Sequence, residues 1–105
     1  MARKIAVVTV PPVQRVLTLP DMGQAIRAAR TQSELRIDTA ASLCDVSVSL
    51  LSALENGSGR AVGLDKILAV LDNLGLTMLI TGKQQAAQIQ QTYNHDANAG
   101  SHLWR

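Results

Sequence analysis

No aromatic side chain precedes Tyr93, and the one other aromatic, Trp104, also lies within the last thirteen residues of this 105-residue chain. Any core ahead of them has to be built from Leu, Ile, Val, Met and Ala. The same absence removes the stacking platform on which single-stranded nucleic acids are usually bound. Length predicts a single domain, and ten Lys and Arg against eight Asp and Glu give a net charge of +2, far from a disordered polybasic chain. Cys44 is the only thiol, so no intramolecular disulfide forms and a reducing compartment, the cytoplasm, is expected. The apolar run Ile5 to Val10, stopped by Pro11 and Pro12, is too short for a secretory signal, and no run approaches the roughly twenty apolar residues of a membrane span. His95 and His102 stand in a polar tail without ligands at metal spacing, and no phosphate loop or nucleophile-base pair occurs. Neither metal, cofactor nor enzymatic activity is expected.

Composition divides the chain into three parts. Residues 1–17 form an N-terminal arm bearing Arg3, Lys4 and Arg15, with a possible strand through Ile5, Val7, Val8, Thr9 and Val10. Residues 18–82 hold nearly all the periodic apolar positions. Residues 83–105 read as a flexible, Gln-rich tail ending in His102-Leu103-Trp104-Arg105.

The middle part predicts four short helices. Thr18 and Asp21 have capping-box spacing, and Met22, Ala25, Ile26 and Ala29 share one helical face behind them. Ile37, Ala40, Ala41 and Cys44 make a second stripe ending at Asp45, a residue type that tolerates a left-handed turn. Ser47 can cap a third helix with Leu51 and Leu54 facing inward and Gly57 as its stop. A fourth runs through Leu64, Ile67, Leu68, Leu71 and Leu74 to Gly75, followed by a strand candidate at Thr77, Met78, Leu79 and Ile80.

Two short helices about three residues apart are the helix-turn-helix unit, whose second helix enters the major groove. The stretch Leu35 to Gly57, LRIDTAASLCDVSVSLLSALENG, resembles that unit in the lambda-repressor-like, or XRE, family, over residues 19–76 in all. Its most specific piece is Glu55-Asn56-Gly57 after Leu51 and Leu54. Ile37 stands where the family usually has Gln, Ala40 where it has a larger apolar residue, and Asp45 where Gly is frequent. The resemblance implies an all-α fold and a structural ion pair between Arg30 and Glu55.

On the face of the third helix opposite Leu51 and Leu54 lie Ser47, Val48, Ser49, Ser52 and Ala53, the candidates for contact with base edges. No Arg, Gln or Asn is among them to make a discriminating bidentate contact, so DNA shape and phosphate register are expected to carry much of any specificity. Residues 1–36 carry six basic and two acidic groups, residues 37–75 two and five. An acidic recognition unit argues against nonspecific binding by counterion release. Arg27, Arg36, Arg60 and Lys66 flank it as candidate phosphate contacts.

The segment Leu74-Gly75-Leu76-Thr77-Met78 is similar to the equivalent region of HipB-type antitoxins, which implies that the strand at Thr77, Met78, Leu79 and Ile80 pairs across a homodimer axis. That resemblance also implies a HipA-like kinase toxin as partner, with Leu103 and Trp104 as its anchor. The leading expectation is a cytoplasmic, nucleoid-associated antitoxin that binds double-stranded operator DNA and represses its own operon. An XRE repressor without a toxin, and an interaction adaptor of the same fold, are the alternatives.

Overall fold

The computed structural model describes residue 8 and residues 10–103, with side chains through residue 94. Five helices follow one another: α1 (Leu19–Gln32), α2 (Ile37–Leu43), α3 (Val48–Glu55), α4 (Leu64–Asn73) and α5 (Lys83–Leu103). The backbone falls into two compact units. The first comprises Met1–Thr9 and Val16–Met78, the second Val10–Arg15 and Leu79–Arg105.

In the first unit, α1 starts where backbone N–H groups find acceptors. Thr18 Oγ1 accepts from Asp21 N (3.3 Å), and Asp21 Oδ2 accepts from the backbone N–H groups of Thr18 (3.1 Å) and Leu17 (3.0 Å). The Leu17 bond is the largest influence holding the Asp21 carboxyl below its ordinary range; the Thr18 bonds add to it, and desolvation opposes it.

All four helices of this unit end on the same device, a left-handed residue after the cap followed by a paired return of two N–H groups. In α1 Glu34 N reaches Thr31 O (3.0 Å) and Leu35 N reaches Arg30 O (3.1 Å); in α2 Asp45 N reaches Ser42 O (3.2 Å) and Val46 N reaches Ala41 O (3.0 Å). Gly57 and Gly75 perform the same step for α3 and α4 at φ of 76° and 78°. Glu34 and Asp45 hold φ of 57° and 56° without being glycine, a conformation that costs an L residue on the order of 1–2 kcal/mol. At three of the ends the next residue, Leu35, Val46 or Leu76, packs on the core, which recovers part of that cost.

The core is aliphatic throughout. Ile26 from α1, Ala40 and Ala41 from α2, Leu51 and Leu54 from α3, and Ile67, Val70, Leu71 and Leu74 near α4 form one buried cluster with Cys44. Burial raises the Cys44 thiol above its ordinary range, so it packs as a small apolar group.

The structure departs from the sequence reading at both flanks of this bundle. No strand occurs among the described residues: Thr77, Met78, Leu79 and Ile80 form neither helix nor strand. A four-residue run has no backbone partner within one chain, and β structure needs one. A fifth helix follows the four in the chain, since Lys83–Leu103, read as a flexible tail, is helical. Gln, Ala and Lys are good helix formers, and composition that looked merely polar carries that propensity. In the second unit the Asn94 side chain holds the backbone of Val13 from both sides, its Oδ1 accepting from Val13 N (3.3 Å) and its Nδ2 donating to Val13 O (3.4 Å). The strand suggested near the N-terminus falls largely outside the described residues. Val8, which is described, donates its N–H to the buried Thr31 Oγ1 at 3.1 Å.

Two measurements check the helix ends. Because the folded-state carboxyl of Asp21 is depressed, its contribution is present above the unfolded value near about pH 4 and is lost as pH falls through the lower folded value. Acid unfolding followed by circular dichroism is expected to lose part of its slope in that window in Asp21→Asn. Glu34→Gly removes left-handed strain at an exposed site and is expected to raise unfolding stability by about 0.5–1 kcal/mol in urea titration, after the extra chain entropy of glycine is counted.

Candidate DNA interface

The chain direction turns by 109° between α2 and α3. Asp45 takes the left-handed step and Ser47 caps the new helix, its Oγ accepting from Leu50 N at 3.0 Å. Leu51 and Leu54 then bury against α1 and α2, which leaves the opposite side of α3 facing outward.

Of the five candidates for base contact, Val48, Ser49, Ser52 and Ala53 lie on α3 and Ser47 is the residue that caps it. Ser47, Val48 and Ser49 are exposed at the first turn, and Ser52 and Ala53 are half-buried one turn later. Ser52 Oγ also accepts from Asn56 Nδ2 at 3.4 Å. The candidate phosphate contacts sit on four different elements: Arg27 on α1, Arg36 at the start of α2, Arg60 in the loop after α3, and Lys66 in the first turn of α4, all exposed. No ion pair engages Arg27, Arg60 or Lys66 among the described residues, whereas Arg36 Nε lies 3.5 Å from Asp38 Oδ1. That contact is between well-exposed groups and is easily exchanged for a phosphate. Arg3, Lys4 and Trp104 fall outside the described residues, and Leu103 is the last residue of α5.

Arg30 and Glu55 fix where α3 stands. Arg30 Nε and Nη2 donate to Glu55 Oε2 and Oε1 at 2.6 and 2.9 Å, and Nη1 donates to the Leu35 carbonyl at 2.9 Å. The two side chains are 11% and 5% exposed, so neither charge is satisfied by bulk water. One guanidinium thus joins α1, the chain entering α2, and the end of α3.

Beside it, Gly23 lets α1 and α3 touch backbone to side. A β-carbon there would strike the Leu54 carbonyl oxygen and come within 2.7 Å of that of Glu55. Gly57 has a double reason to be glycine: its φ of 76° and a β-carbon site 2.9 Å from Pro20 Cγ. Sequence reasoning singled out Gly57 but not Gly23, although a glycine inside a helix, at a cost of about 1 kcal/mol against alanine, is a signal of close approach. It also passed over the outer edge of α2, where Asp38, Thr39, Ser42 and the 53%-exposed Leu43 line a shallow open depression.

A turn of this geometry, with a capped second helix held by a buried ion pair and presenting small side chains outward, defines a helix-turn-helix domain. A family model described as helix-turn-helix matches residues 26–80, just over half the chain. The chain belongs to the XRE-type helix-turn-helix family. No curated protein matches it. Among the described residues no helix is by itself long and apolar enough to cross a membrane.

The ion pair makes an asymmetric prediction. Arg30→Met leaves the Glu55 carboxylate buried without a counter-charge and is expected to lower unfolding stability by about 3 kcal/mol or more. The double variant Arg30→Met/Glu55→Leu is expected to recover most of that loss in denaturant titration, because it removes both charges together.

Proposed function

We propose that this protein is a sequence-specific transcriptional regulator that docks α3 in the major groove of double-stranded operator DNA, without catalytic activity. The observation that carries the reading is the outward face of α3. It is unobstructed by large side chains, and the Arg30–Glu55 pair braces it from behind. Ser47, Val48, Ser49, Ser52 and Ala53 approach base edges, and Arg27, Arg36, Arg60 and Lys66 neutralise phosphates on either side. Two copies acting together fit the chemistry best, since one α3 offers few polar contacts and a second half-site multiplies them. Leu64 and Leu68, 58% and 43% exposed on α4, and Met78, 39% exposed, supply apolar surface for such a homodimer.

The narrower reading, an antitoxin that regulates its operon and binds a HipA-like toxin, draws on the Leu103-Trp104 terminus as an anchor. It also draws on the likeness of Leu74-Gly75-Leu76-Thr77-Met78 to HipB-type antitoxins, which implies that Thr77–Ile80 pairs with a second copy. Copurification of a kinase-like partner, lost in Trp104→Ala while DNA binding persists, would favour it over a repressor acting alone.

Selection of bound duplexes from a random pool by the purified full chain tests the main reading. A two-fold symmetric site with half-sites spaced by whole helical turns is expected, and Ser49→Glu is expected to lower affinity for it at least about tenfold by placing a carboxylate against the groove. Absence of any enriched sequence would overturn the proposal in favour of an interaction adaptor built on the same fold.

A further inference from the structure

We propose that Val48 sets base preference by packing on the 5-methyl group of a thymine in each half-site, and that this contact outweighs any hydrogen bond from α3. The inference rests on the DNA-binding reading above and names the feature of the duplex which that face selects.

The exposed surface of α3 is chemically sparse. Between Ser47 and Leu54, α3 has no guanidinium, amide, carboxylate or aromatic group. The hydrogen-bonding side chains there are the capping Ser47 and, on α3, Ser49 and Ser52. The Oγ of Ser47 accepts from Leu50 N at 3.0 Å and that of Ser52 from Asn56 Nδ2 at 3.4 Å, so each is oriented by its own helix and keeps only its O–H and one lone pair for the groove. Ser49 is exposed and retains its hydroxyl for the groove. A single hydroxyl donates and accepts alike, so it pairs with either a purine N7 or an exocyclic amine and discriminates weakly.

The apolar residues of α3 divide differently. Leu51 and Leu54 are buried at 0% and 2% exposure and Leu50 is half-buried, but Val48 remains 44% exposed in the first turn. That turn is the part of a recognition helix nearest the base edges. Ala53 offers only one methyl and is half-buried a turn further on. Val48 keeps nearly half of its surface open to solvent, and as a β-branched residue in a helix it is held in essentially one rotamer. The major groove has one apolar feature to set against it, the thymine methyl, and every other base pair presents polar edges there. Opposite cytosine or a purine, the isopropyl group would desolvate a polar edge without replacing its hydrogen bond.

Deoxyuridine isolates the contact, because it removes the methyl and leaves every hydrogen-bonding group of thymine in place. On the duplex enriched from the random pool, each thymine is replaced singly by deoxyuridine and affinity is measured by fluorescence anisotropy with the full chain. One thymine per half-site is expected to show a loss of about fourfold, the burial worth of one methyl group. In Val48→Ala the same replacement is expected to cost less than about twofold, with circular dichroism confirming an unchanged fold. The proposal is overturned if no thymine is sensitive, or if the deoxyuridine loss is undiminished in Val48→Ala. If no duplex is enriched at all, the DNA-binding reading itself fails, an outcome distinct from an enriched site that ignores the methyl.

Discussion

The bidentate contact between Arg30 and Glu55 is the interaction on which the arrangement of the recognition unit depends. It lies beneath α3 and uses three of the guanidinium's donors: two on the carboxylate and one on the Leu35 carbonyl. Hydrophobic burial holds α1, α2 and α3 together but is non-directional, and Leu51 and Leu54 alone would tolerate some sliding of α3 over its neighbours. A planar donor fork on a buried carboxylate does not tolerate it. Gly23 adds a steric counterpart, since α1 can approach the carbonyls of Leu54 and Glu55 only where no β-carbon intervenes. Charge and close approach therefore fix the same end of α3 from two directions.

With α3 held at its C-terminal end, its N-terminal end is set by the turn. Asp45 and Ser47 divide that work: a left-handed residue closes α2, and two residues later a hydroxyl opens α3. Glu34 takes the corresponding left-handed step between α1 and α2. Both connections thus use non-glycine residues in strained conformations, while the glycines stand at the ends of α3 and α4. The strain is tolerated because Leu35 and Val46, next in the chain, are drawn onto the core.

What could be read from the sequence was what is decided locally. The capping box at Thr18 and Asp21, the Ser47 cap, the glycine stops at residues 57 and 75, and the 3.6-residue spacing of Ile26, Leu51, Leu54 and Val70's neighbours all act within a few residues. The exposure of Val48 and Ser49 followed from the same periodicity. Thr77–Ile80 could not be read this way, because a short, mostly apolar run forms a strand only when another strand is present to pair with it. The helix at Lys83–Leu103 was hidden for the opposite reason: it lacks a strong apolar stripe, yet its Gln and Ala content favours helix, and Asn94 ties it to a segment 81 residues away in sequence. Gly23 in mid-helix signalled a close approach, but what it approaches, the carbonyls of Leu54 and Glu55, is a property of two helices and is written in neither one alone.

The sparse chemistry of α3 also bears on how affinity and specificity are divided under the proposed function. The residues between Ile37 and Gly75 carry five acidic groups against two basic ones, so the recognition unit itself gains little from the phosphate backbone. Attraction has to come from side chains set outside α3, on α1, at the start of α2, in the following loop and on α4. These are separate elements, and a duplex that satisfies all of them at once must present its phosphates in one register. Selectivity by register and groove shape then accompanies the contact at Val48, and the two are not redundant. Phosphate contacts from Arg27, Arg60 and Lys66 position α3 without naming a base, while an isopropyl group against a methyl names one base but contributes too little to hold the complex. A regulator built in this way depends on duplicating its half-site, because each copy of α3 carries only a fraction of the discrimination that one bidentate arginine or glutamine would have provided.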